Sequence, residues 1–107
     1  MKPRRLKDLV FLSEADPELV SMDGRQGIGF SFDCPIHDNC RLAVPFLRPL
    51  DGGPPASWLN GKQAWDHFGD LPNITVSPSI HILGGEDSCQ WHGFIRGGKF
   101  DTCGDSQ

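Results

Sequence analysis

Tyrosine is absent from this 107-residue chain, methionine occurs twice, and apolar residues make up only 37% of the sequence. Long apolar runs are missing as well. The stretch Leu9-Val10-Phe11-Leu12 is far too short for a secretory h-region, and nothing approaches the ~20 apolar residues of a membrane-spanning helix. A cytoplasmic protein is therefore expected, in the host cytoplasm if a phage encodes it, with no membrane partner. Positive charge is also scarce. Ten Lys and Arg against fourteen Asp and Glu give a net charge of −4, which disfavours nucleic acid as a partner. The one basic cluster, Lys2, Arg4, Arg5 and Lys7, reads as a solvated N-terminal arm.

Glycine and proline are what the chain has in excess. Together they fill 22 of the 107 positions, about a fifth against roughly 12% in average usage. That mixture does not build a long-helix bundle or a doubly wound α/β fold. It points to one small, mainly β domain: an antiparallel sheet, or a partial barrel or sandwich, with a short N-terminal helix and a metal staple for a sparse core. The expected division is an arm or helix over 1–27 and a metal-stapled core over 28–103.

Local patterns fill in this outline. Leu6, Leu9 and Val10 have helical spacing, and Pro17-Glu18-Leu19-Val20 reads as one further helical turn. Asp23-Gly24 signals a turn. Alternation predicts strands at Ile28–Phe32, at Arg41–Phe46, across 73–83 and over roughly 93–100, with Gly97-Gly98 as a kink or turn. Pro78 falls inside the third of these, which implies an edge strand or a bulge there. Residues 47–57 read as irregular, and the stretch holding Trp58, Trp65 and Phe68 has no clear assignment.

Two segments share a Cys-x-x-His pattern: Cys34-Pro35-Ile36-His37 and Cys89-Gln90-Trp91-His92. Two residues between ligands let a tight turn aim both side chains at one ion. The two segments together supply two thiolates and two imidazoles for a tetrahedron. In a reduced compartment such cysteines read as metal ligands before disulfides, and this ligand set favours Zn2+. The expectation is a closed, structural zinc site of Cys34, His37, Cys89 and His92, with Cys40 as the alternative ligand. Cys103 remains a spare thiol, while His67 and His81 lack ligand spacing. The other readings are buried cysteines, a disulfide framework, or a Rieske cluster. The last would place Cys89–His92 as the second ligand box, but a first box needs the tighter Cys-x-His.

Four blocks occur in order: Phe32-Asp33-Cys34-Pro35, Val44-Pro45-Phe46, Thr75-Val76-Ser77-Pro78-Ser79-Ile80, and Cys89-Gln90-Trp91-His92-Gly93-Phe94-Ile95-Arg96-Gly97-Gly98-Lys99. The set resembles an uncharacterised phage and bacterial family catalogued as domain of unknown function 6527, some members of which are labelled ammonia monooxygenase. The resemblance covers about residues 28–100. It implies a zinc site and no established activity. His37 stands where that family usually has a second cysteine.

Two functional classes follow. A small zinc-binding module, serving as an accessory or interaction protein of a phage or mobile element, would contact a protein partner. Its expected surface is the edge strand carrying Thr75, Ser77 and Ser79, with Trp58, Trp65 and Trp91 as further contact or core residues. An enzyme would use Ser77 or Ser79 as nucleophile with His81 or His92 as base. A metal-dependent hydrolase would instead draw on Asp33, Asp38 or Glu86 beside the ligand boxes. No Gly-x-Ser-x-Gly elbow is present, and the sequence reading leans away from catalysis.

Overall fold

The computed structural model describes residues 9–36, 40–59, 63–84 and 89–102, with side chains throughout except at 59, 78, 82–84, 89 and 90. The expected residues 4–8 of an N-terminal helix and the turn at 85–87 lie outside the described residues.

The chain is mainly β, in two antiparallel sheets. The first has the order β1-β2-β3, formed by β1 (Glu18–Met22), β2 (Arg25–Asp33) and β3 (Arg41–Pro45). The second has the order β4-β5-β6-β7, formed by β4 (Asp66–Phe68), β5 (Thr75–Gly84), β6 (Cys89–Arg96) and β7 (Lys99–Thr102). Helical structure among the described residues is confined to two 3-10 turns, Leu12–Ala15 and Ser57–Leu59.

Alternation explains the main strands. Ile28, Phe30 and Phe32 on β2 and Leu42 and Val44 on β3 are buried. They meet Val76 and Ile80 of β5, Trp91 and Ile95 of β6, and Phe100 of β7 in one apolar cluster. Phe32 is central to it, with its ring edge-on to Trp91 at 6.0 Å and tilted against Phe100 at 5.6 Å. The two sheets therefore face each other across a shared aromatic core, and edge-to-face rings of this kind add to the apolar burial.

Two helical expectations are corrected. Glu18–Met22 is a strand, because Leu19 and Val20 pair with Phe30 and Gly29 of β2 across the hairpin. Its turn is Asp23-Gly24, both with positive φ (56° and 79°) as a two-residue hairpin demands. Residues 18–27 thus belong to the first sheet rather than to an arm. Residues 9–11 run extended along β7 before the 3-10 turn begins at Leu12: Phe100 N–H donates to the Val10 carbonyl (2.9 Å) and Leu12 N–H to the Gly98 carbonyl (2.8 Å). That segment covers the outer edge of the second sheet, which would otherwise present unpaired backbone groups.

Candidate active site

Cys34 ends the core face of β2 as a fully buried thiol, and its N–H donates to the Cys40 carbonyl at 2.8 Å. Cys40, the alternative ligand, is buried and disulfide-bonded. His37, Asp38, Glu86, Cys103 and the Cys89 side chain lie outside the described residues; the Cys89 backbone opens β6 opposite Gly84. His92 is half-buried on β6, packed on another histidine. Among the described residues no three His, Cys, Asp or Glu side chains are grouped so as to hold a metal ion. Asp33 carries an ion pair to Arg41 at 3.1 Å.

The enzyme residues fare differently. Strand β5 lies between β4 and β6, and β4 covers Thr75–Ser77, so the edge-strand reading is corrected for Thr75 and Ser77. Pro78 is accommodated by the other route, a bulge. Val76 pairs with Ile95 and Ile80 with Gly93, so four steps along β5 span two along β6. The extra length falls on Ser77-Pro78-Ser79. A bulge bends its strand away from the ladder and re-aims the side chains on it, and a proline that cannot donate to the ladder is tolerated there.

Beyond the bulge the register is regular: Ile80 with Gly93, His81 with His92, Ile82 with Trp91. Ile80 and Gly93 are buried toward the core, so His81, His92 and Phe94 project to the opposite face. There His81 is exposed and His92 and Phe94 are half-buried; Ser79, in the bulge, is half-buried too. The His81 and His92 rings stack at 4.9 Å with 26° between their planes. Ser79 precedes Ile80 on β5 and His92 precedes Gly93 on β6, so the two residues flank the Ile80–Gly93 pair from opposite strands.

Glycine is required at position 93. A Cβ there would lie 2.6 Å from the Asp101 carbonyl oxygen and 2.6 Å from Trp91 Cζ2, so this rung of the sheet packs as close as backbone permits. Trp91 is held in turn by its indole N–H, which donates to Thr102 Oγ1 at 3.0 Å. Phe94 carries the Arg96 guanidinium 4.2 Å above its ring, and Arg96 pairs with Asp101 at 3.6 Å.

Other serines and histidines are placed less usefully. Ser77 is exposed and registers with Asp66, whose carboxylate is held bidentately by Arg48 at 2.6 and 2.7 Å; those hydrogen bonds lower the Asp66 pKa. Ser31 accepts from Arg41 at 3.0 Å. His67 sits on the other face of β4, stacked 3.9 Å from Phe46, and burial pushes its pKa down. Trp65 and Trp91 are core, whereas Trp58 is half exposed.

The fold and this cluster define a class: a small two-sheet β domain with a serine raised on a strand bulge beside a stacked histidine pair. A family model described as the bacterial ubiquitination-like system serine protease, BubE, matches residues 7–103. That is nearly the whole chain, and the chain belongs to this family. No curated protein and no solved structure matches it. The match overturns the resemblance to the family of unknown function and its ammonia monooxygenase label. It equally overturns the reading of a non-catalytic zinc module of a phage or mobile element. The sequence named Ser79 and His92 among its candidates but ranked them below the Cys/His spacing. The signal that could have raised them is Pro78 between two serines inside a strand, three residues ahead of His81, which marks a bulge.

No helix among the described residues is long and apolar enough to cross a membrane.

Proposed function

We propose that this chain is a serine hydrolase of peptide or isopeptide bonds, with Ser79 as nucleophile and His92 as general base. The observation that carries the reading is the register of β5 on β6, which puts the bulged Ser79 one residue before the Ile80–Gly93 pair and the stacked His81–His92 pair one residue beyond it. The family description supplies the reaction type, serine proteolysis. His92 suits the base better than His81. It is half-buried, whereas His81 is exposed and packs against the His92 ring. A base held in one orientation is worth more than one that samples several.

In this mechanism Ser79 Oγ attacks the carbonyl carbon of the scissile bond while His92 accepts the hydroxyl proton. Collapse of the tetrahedral intermediate breaks the C–N bond, and His92 returns the proton to the leaving amine. The acyl group remains as an ester on Ser79. His92 then deprotonates a water, which attacks the ester and releases the carboxylate and the free serine. His81 keeps the His92 ring from rotating out of line through the stacked contact.

The substrate we infer is a ubiquitin-like protein of the same system, joined through its C-terminal carbonyl to an amine of a target or of an extension peptide. This gives the expected protein partner a definite role. The test is cleavage of such a ubiquitin-like protein carrying a C-terminal extension, followed by intact-mass measurement. The expected result is a cut at the junction by the wild type and none by Ser79→Ala or His92→Gln, both folded by circular dichroism. Undiminished cleavage by Ser79→Ala would overturn the assignment.

A further inference from the structure

The bulge that raises Ser79 takes its backbone out of the β5–β6 ladder, so the Ser79 carbonyl needs a partner elsewhere. It has one: the Trp65 indole N–H donates to the Ser79 carbonyl oxygen at 3.0 Å. Trp65 is 2% exposed, and its own backbone is tied to the first sheet. Its N–H donates to the Pro45 carbonyl (2.9 Å), and its carbonyl accepts from Leu47 N–H (2.6 Å), making a parallel bridge beside Phe46. Trp65 thus links the end of β3 to the single residue of β5 on which the proposed chemistry depends.

We propose that Trp65 is a positioning residue, whose indole N–H fixes the bulge so that Ser79 stays aligned with His92. The proposal rests on the assignment of Ser79 as nucleophile. The physical argument is one of degrees of freedom. A bulge has fewer ladder bonds than a regular strand, so the φ/ψ angles around Ser79 are set by whatever else holds that carbonyl. An indole in a close-packed core is a stiff anchor, with two side-chain torsions and both backbone groups already bonded. Without the donor, the carbonyl turns toward water and carries the serine with it. Misplacement by about 1 Å can reduce a rate by roughly a hundredfold.

Trp65→Phe removes the donor and keeps most of the apolar bulk. The readout is the rate at which a fluorophosphonate probe labels Ser79, taken across probe concentration so that the maximal rate separates from the binding constant. The expected result is a maximal rate at least about tenfold lower with an unchanged binding constant, measured where the variant is fully folded. Hydrogen exchange of the segment 77–81 rises in parallel. A purely packing role would lower the melting temperature and leave the labelling rate of the folded protein unchanged, and that outcome overturns the proposal. Should Trp65→Phe fail to fold, exchange of the indole N–H in the wild type decides. Protection of Trp65 well beyond that of half-exposed Trp58 supports the anchor, and equal exchange overturns it. Failure of the wild type to label at Ser79 would sink the nucleophile assignment itself, a result distinct from labelling that is indifferent to Trp65.

Discussion

Replacing Gly93 by alanine probes the rung between Ser79 and His92 without touching either. The new Cβ would meet the Asp101 carbonyl oxygen at 2.6 Å, Trp91 Cζ2 at 2.6 Å and Thr102 Cα at 3.0 Å. Two of these three obstacles are backbone of β7, and the third is a fully buried indole whose N–H is anchored on Thr102. No flexible side-chain end can yield, so β6 and β7 must part or Trp91 must leave its place against Phe32 and Phe100. Overpacking of this kind costs about 1–3 kcal/mol. The loss of unfolded-state freedom on changing glycine to alanine offsets about 0.4–1 kcal/mol of it. The net is a destabilisation of about 1–2 kcal/mol. For a domain of this size that lowers the melting temperature by roughly 4–16 °C. Thermal and urea unfolding followed by circular dichroism would measure it. A melting temperature equal to or above that of the wild type would refute the packing argument.

Two acid-sensitive groups give further tests. Burial depresses the His67 pKa below its ordinary 6.5, and its Nδ1 is buried without a hydrogen-bond partner, so the fold holds this imidazole neutral. The unfolded chain takes up the proton more readily, so His67's contribution to stability is complete above pH 6.5 and is lost as the pH falls below it. The urea midpoint should fall more between pH 7.5 and 5.5 in the wild type than in His67→Phe; equal slopes would contradict the assignment. Asp51 is pulled down to about 2, chiefly by hydrogen bonds from the Arg25 side chain at 2.8 and 3.0 Å. Its contribution is present above the ordinary aspartate pKa and lost as the pH drops toward 2. Asp51→Asn should therefore lower stability at neutral pH, with the difference shrinking between pH 4 and 2. A difference independent of pH would count against the ion pair.

Much of the sheet structure is legible because period-two burial leaves a mark in the chain. Ile28-Phe30-Phe32, Leu42-Val44 and Val76-Ile80 each alternate, and Asp23-Gly24 and Gly97-Gly98 sit at the hairpin turns. The helical readings over 9–11, the described part of 4–12 before the 3-10 turn at Leu12, and over 18–20 failed because a few apolar residues fit both periods, and the partner strands β7 and β2 decided between them. The site was half legible. Ser79, His81 and His92 are visible as residue types, but their meeting depends on one register between β5 and β6, and a slip of one residue would turn the histidines to the opposite face. The Cys-x-x-His spacing is a local signal and so outweighed a long-range one. Cys40, bonded in a disulfide, shows how little spacing says about which cysteine side chains meet.

The central claim is that Ser79 is a nucleophile activated by a neighbouring histidine. The most direct measurement is covalent trapping: the folded protein is treated with a fluorophosphonate and the adduct located by peptide mass mapping. The account predicts one phosphonyl group per chain on Ser79, lost in Ser79→Ala, slowed at least about a hundredfold in His92→Gln, and retained in Ser77→Ala. Phosphonylation on another serine, or none on a folded wild type that cleaves its substrate, would contradict it.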